Sequence, residues 1–106
     1  MRFANEFGFY ELNPFPGSNQ IVVSNHAFIY GPWRGQGKGI QQHKERLAKA
    51  KELGYNFIVC TMDKNNDVER HILGKMRWTS LATFYSVETE HFVELWSRDL
   101  YLPIPS

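Results

Sequence analysis

A chain of 106 residues, 42% hydrophobic and 22% charged, holds enough apolar side chain for one modest core but not for two. Lysine and arginine total 12 and aspartate and glutamate 11, so no global field argues for a nucleic acid or a membrane as partner. The only cysteine, Cys60, excludes an internal disulfide and shares no ligand spacing with the four histidines, so no metal site is expected. No apolar run approaches the roughly 20 residues of a membrane helix, and the first residues lack a secretion-signal pattern. The expectation is a single domain over residues 1–106 in a reducing, cytoplasmic compartment.

Along the chain, Phe7 to Leu12 reads as a short strand, closed by the turn Asn13-Pro14-Phe15-Pro16-Gly17-Ser18-Asn19. Ile21 to Tyr30 reads as a longer, β-branched strand. Its polar middle, Ser24-Asn25-His26, is foreign to a central strand, and either a bulge or side chains facing a cleft accounts for it. The spacing predicts a helix over Ile40 to Leu53, with Ile40, His43, Leu47, Ala50 and Leu53 on one face. Lys44, Glu45, Arg46, Lys49, Lys51 and Glu52 fall mostly on the other side, as a solvated face, and Gly54 stops the helix. Phe57 to Thr61 reads as a buried strand, parallel to the preceding one because a crossover helix separates the two. A polar loop at Asp63 to Asp67 supplies N-cap candidates for a second helix, marked by Val68, Ile72 and Met76. Trp78 to Val87 and His91 to Trp96 form a final strand pair, and Leu100 to Ser106 lies along the surface. The expected class is α+β, a mixed sheet in the order β-β-α-β-α-β-β.

The run Pro32-Trp33-Arg34-Gly35-Gln36-Gly37-Lys38-Gly39 stands between the second strand and the first helix. Glycines at such a junction let main-chain N–H groups approach an anion, and the positive end of the helix dipole favours phosphate there. A Walker loop needs Ser or Thr after Gly-Lys, and Gly39 follows Lys38. A dinucleotide fingerprint needs Gly-x-Gly-x-x-Gly and an acidic residue ending the next strand, where Cys60-Thr61 stands.

At Arg34-x-x-Gly37-x-Gly39, preceded by Pro32-Trp33, the sequence resembles the GNAT superfamily of acyl-CoA-dependent N-acyltransferases. The likeness spans roughly Ile21 to Trp96 and includes the order of elements after the turn. It implies splayed central strands and a coenzyme A pyrophosphate held by main-chain amides of Gly35, Gln36, Gly37, Lys38 and Gly39, with Arg34 and Lys38 adding charge. It implies a pantetheine arm paired with the backbone near Phe28 and Tyr30, and a further contact at Asn66, the counterpart of the family's helix-leading Asn. Seven residues on, Leu73 occupies the place of the Tyr that usually protonates the departing thiolate, and Arg77 replaces a Gly. Only about twenty residues precede Ile21, so the family's N-terminal helices are reduced or absent and the acceptor wall is open or supplied by another subunit.

The implied ligand is acetyl-CoA or another acyl-CoA, and the implied reaction is transfer to an amine. His26 is the candidate general base, since along a strand it shares a face with Phe28 and Tyr30 and its imidazole titrates near neutrality. His43 reads as a packed core-edge histidine, His71 as lying on a helix face away from position 73, and His91 as solvent-facing. Cys60 reads as a small apolar residue, and Tyr85 as a core or surface aromatic with a lesser claim to the missing phenol. A second reading is a reduced fold that binds and inhibits another protein, as a compact bacteriophage protein would bind a host enzyme. Trp33, Trp96 and Tyr101 would then be exposed anchors. An open sheet edge would favour a homodimer.

Overall fold

The computed structural model describes all 106 residues. Six strands form one mixed sheet: β1 (Arg2–Ala4), β2 (Gly8–Pro14), β3 (Ile21–Ile29), β4 (Phe57–Asp63), β5 (Thr79–Ser86) and β6 (His91–Asp99). Their spatial order is β1-β2-β3-β4-β6-β5. Helix α1 (Lys38–Glu52) connects β3 to β4, and α2 (Asp67–Lys75) connects β4 to β5. The expected α+β class and element order stand, with β1 added at the front. Three residues, Arg-Phe-Ala, are too short to show an alternating pattern, so β1 has no signature in the sequence.

Only the β3–β4 pair is parallel, and its register covers just Ile21–Phe57, Val22–Ile58 and Val23–Val59. Past that point the two strands diverge. β3 remains paired to β2 as far as Ile29, and β4 remains paired to β6 as far as Asp63. The splay of the central strands is therefore a break in one ladder only.

A bulge shapes the diverging half of β3. Phe9 faces Phe28 and Glu11 faces Asn25, so one more residue lies on β3 than on β2 between those pairs. His26 carries the distortion with φ +53°, left-handed for a non-glycine residue. Of the two accounts of Ser24-Asn25-His26, the bulge is thus real, and the cleft reading is taken up below. Gln42, buried on α1, fastens the bulge by donating Nε2–H to the Phe9 and Phe28 carbonyls at 3.1 and 3.2 Å.

Both helices cover the same face of the sheet. Leu47 and Ala50 of α1 join Leu73 and Met76 of α2 in one core with Val22, Ile58, Cys60, Met62 and Trp96. Three expectations about faces are corrected. Arg46 is not solvated: it follows His43 by three residues and precedes Leu47 and Ala50, inside the buried stripe, and only 6% of it is exposed. Leu53 and Val68, expected in the core, are exposed, because α1 ends beyond the sheet and Leu73 rather than Val68 is the inward residue of α2. Trp96 is buried, so it cannot serve as a surface anchor.

The tail is tied down more firmly than expected. Leu100 is buried, and the Arg98 guanidinium donates to the carbonyls of Met76, Asp99, Leu102 and Pro103.

Gly8 on β2 leaves no room for a side chain against β3. A Cβ there would lie 2.1 Å from the Phe28 carbonyl oxygen, a backbone atom that cannot step aside. Gly8→Ala is expected to destabilise the fold by about 1–3 kcal/mol through overpacking at the bulge. Urea unfolding midpoints of the variant and the wild type check this; an unchanged midpoint would contradict the close approach.

Candidate active site

Between β3 and α1 the chain makes one 3₁₀ turn, Gly31–Trp33, and then two left-handed glycines, Gly35 at φ +76° and Gly37 at φ +75°. Pro32 suits the start of such a turn because its missing N–H would be unpaired there anyway. Gly37 is the N-cap of α1. The N–H groups of Gly35, Gln36 and Gly37 donate to nothing within the chain. Those of Lys38, Gly39 and Ile40 open the helix, where no intrahelical acceptor exists. No acidic side chain stands in the first turn of α1, and a Cβ on Gly35 or Gly37 would project into open space. Uncovered amides, the positive helix end and Lys38 together fit a pyrophosphate.

This turn forms one end of a groove of about 770 Å³ between the end of β3, the start of α1 and one side of α2. Phe28, Ile29, Trp33, Lys38, Val68 and Ile72 contribute to its wall. Exposed Val68 gives the wall an apolar surface, and Asp67 and His71 stand on the same side. A second cavity of about 260 Å³ fills the gap between the diverging ends of β3 and β4. Ala27 and Glu69 line both spaces, so the groove and the gap adjoin at those two residues. Asn25 and His26 stand on one side of the gap, and Arg46 and Glu69 on the other.

A buried polar cluster sits at this junction. His43 donates Nε2–H to Glu69 Oε1 at 2.9 Å, which makes Nε2 the protonated ring nitrogen. Burial pushes the His43 pKa below its ordinary 6.5, against the pull of Glu69. Burial by itself would raise Glu69, but the His43 hydrogen bond and the Arg46 charge outweigh it and hold the carboxyl below the ordinary 4.5. Arg46 donates Nη1–H to Ser24 Oγ at 3.0 Å, and its buried Nε–H has no partner. Cys60 lies against the same cluster, with its thiol pushed up to about 12 by burial, so it is an inert core residue.

The sequence candidates fall on both sides of the junction. Gly35, Gly37, Lys38, Gly39 and Arg34 line the groove, as does Phe28. Arg34 also holds the turn, donating Nε–H to the Ile29 carbonyl at 3.0 Å and stacking on Phe28. Gln36 turns its amide back to the Pro32 carbonyl. Tyr30 donates its N–H to Phe7, and the Phe28 carbonyl accepts from Gln42, so the main chain of these two residues points toward β2. By strand alternation the main chain of Ala27 and Ile29 is what faces the gap. Asn66 caps α2 through Oδ1, accepting from the Glu69 N–H at 3.1 Å, and lines the gap rather than the groove.

His26 also lines the gap, with Nδ1 3.2 Å from Glu11 Oε1. Leu73 is fully buried in the core, and Tyr85 is exposed on the hairpin against Phe92, so neither reaches the groove. Sequence reasoning passed over Arg46 and Glu69. For Arg46 the signal was available, in its i+3 spacing from His43. For Glu69 there was none, since its role depends on two helices meeting.

No family model and no curated protein matches the chain in sequence. Solved structures do match in fold. A GNAT family acetyltransferase from Elizabethkingia anophelis with acetyl-CoA bound superposes with TM-score 0.77 at 15% identity, over 88% of this chain and 68% of that one. The IAA acetyltransferase from Bacillus cereus ATCC 14579 gives 0.78 at 9% identity, over 88% and 69%. A GNAT family acetyltransferase from Bacillus anthracis gives 0.77 at 11% identity, over 91% and 60%. The chain thus has the GNAT acetyltransferase fold, in 60 to 69% of the length of these structures.

The buried dyad sets a pH dependence. Because the folded state holds the His43 pKa below 6.5, the unfolded chain takes up the proton first on acidification, and stability falls as pH drops below about 6.5. Glu69, depressed below 4.5, adds a second loss only below that pH. In His43→Gln the amide still donates to Glu69 but does not titrate. Urea midpoints measured from pH 7.5 to 5 should decline in the wild type and stay level in this variant; parallel declines would exclude His43 as the source.

Proposed function

We propose that this protein transfers an acyl group, acetyl in the simplest case, from acyl-CoA to a primary amine. The observation that carries this reading is the uncovered amide turn in the wall of a groove that adjoins the gap between β3 and β4. Acyl-CoA supplies the activated acyl group. The amides of Gly35 to Ile40, with Lys38, hold its diphosphate. The main chain of Ala27 and Ile29 lines the arm and offers N–H groups that polarise the acyl carbonyl.

The amine approaches from the side of the gap that carries His26. Glu11 fixes His26 Nδ1 as the protonated nitrogen and leaves the Nε2 lone pair free. Nε2 takes the proton as the amine nitrogen bonds to the acyl carbon and the carbon–sulfur bond breaks. Glu11 stays ionised throughout, because the Arg2 hydrogen bond, then that of His26, hold its pKa at about 2.

A second reading, binding to a host protein, is favoured by one surface. On the β5–β6 hairpin Tyr85 and Phe92 are exposed and packed edge to face, and β5 is an outer strand with no neighbour on its far side.

Calorimetric titration of acetyl-CoA separates the two. Saturable binding to the wild type, lost in Gly37→Trp, is expected from the acyltransferase reading. The absence of binding to the wild type would overturn it in favour of the protein-binding reading. With an amine panel and detection of released thiol, His26→Asn should lower kcat/KM by about 10²-fold or more while acetyl-CoA affinity holds. Asn tolerates the left-handed backbone of the bulge, so unchanged turnover would remove His26 as the base.

A further inference from the structure

We propose that the 260 Å³ cavity between the diverging ends of β3 and β4 is a carboxylate subsite whose receptor is Arg46. Arg46 is 6% exposed, yet its guanidinium makes one hydrogen bond, to the neutral hydroxyl of Ser24 at 3.0 Å. Its Nε–H is buried without a partner, and no carboxylate lies within 4 Å of it. Glu69, which lines the same cavity, acts on Arg46 only from beyond 4 Å, and one of its oxygens is already engaged by His43. A buried guanidinium whose N–H groups lack acceptors is costly unless a closer partner answers them.

The cavity is built to admit that answer. Arg46 forms part of its lining, as do Thr61 and Asn66. Thr61 makes no hydrogen bond through its hydroxyl, and the Asn66 amide nitrogen is likewise free, its oxygen being spent on the cap of α2. A guanidinium presents its terminal Nη–H groups in a planar fork that matches the two oxygens of a carboxylate. An alkyl chain in the same place would leave the fork unsatisfied. The subsite therefore selects for an anionic end, and rejects an apolar one of equal size.

The inference rests on the acyl-CoA reading, because that reading places the reacting carbon where groove and gap meet, beside Ala27 and Glu69. From there the carboxylate has two sources. It belongs to the acyl group, as in a dicarboxylic monothioester, or to the acceptor, as in an amino acid or a chain terminus. Both end in the same fork.

Calorimetry on the full chain distinguishes them. Acetyl-CoA and succinyl-CoA are titrated into the wild type and into Arg46→Met, which fills the volume without the charge. N-acetylglycine and N-acetylglycinamide are titrated into the CoA-loaded forms of both. A carboxylate on the acyl side makes succinyl-CoA about tenfold or more tighter than acetyl-CoA in the wild type and equal to it in the variant. A carboxylate on the acceptor side leaves the two thioesters equal, and N-acetylglycine binds about tenfold or more tighter than its amide in the wild type only.

Ser24→Asp serves as a second variant should Arg46→Met fail to fold. It sets a carboxylate against the Arg46 guanidinium in place of the Ser24 hydroxyl and should abolish the same preference. Arg46→Lys, keeping charge but losing the fork, should recover only part of the preference. Acetyl-CoA binding with no carboxylate preference in either arm overturns the subsite alone. No acetyl-CoA binding to the wild type overturns the acyl-CoA reading and the subsite with it.

Discussion

The parallel ladder between β3 and β4 stops after three residue pairs, and most of what this chain offers to chemistry follows from that stop. Strands that part company inside a sheet expose main-chain groups that would otherwise pair, and buried groups of that kind must find partners. Here the bulge at His26 turns β3 away, Gln42 takes up two carbonyls on the β2 side of that bulge, and Arg46 lines the opening on the β4 side. The gap is held apart by polar side chains rather than filled by apolar ones. A filled gap would give a continuous sheet with no passage from the groove.

The junction is also where two helices meet. Gly39 lies close enough to α2 that a Cβ there would sit 3.7 Å from Ile72, and the His43–Glu69 hydrogen bond crosses the same seam a turn further on. The groove thus has a rigid back wall: amides at one end, a buried dyad beneath, and one core cluster behind both helices. The exposed hairpin differs in character. Its strand β5 is exposed along nearly its whole length and contributes nothing to the core cluster. Whatever meets that face is separate from the chemistry of the gap.

Much of the scaffold was legible in the residues alone. β-branched runs marked β3 and β4, glycines marked the turn and the end of α1, and the crossover helix required a parallel pair. These signals are local, arising from backbone conformations that a few neighbouring residues dictate. The glycine turn belongs with them, since Gly35 and Gly37 adopt positive φ as their identity allows. The likeness to acyltransferases was carried by this turn together with the order of elements from Ile21 to Trp96.

Polarity was the signal that misled. Arg46 looks like a surface residue of a charged helix, yet it lies in the buried stripe and donates to Ser24 on the sheet beneath it. Val68 looks like core and instead faces the groove. The sequence by itself determined the elements, their order and the turn that suits a phosphate, because each depends on residues near one another in the chain. Only the tertiary structure decided where β3 and β4 part, that His43 meets Glu69, and that Arg46 stands unpaired at the opening. Those facts depend on residues as many as 36 positions apart being brought together, Val23 and Val59 among them, and no local preference encodes such a meeting.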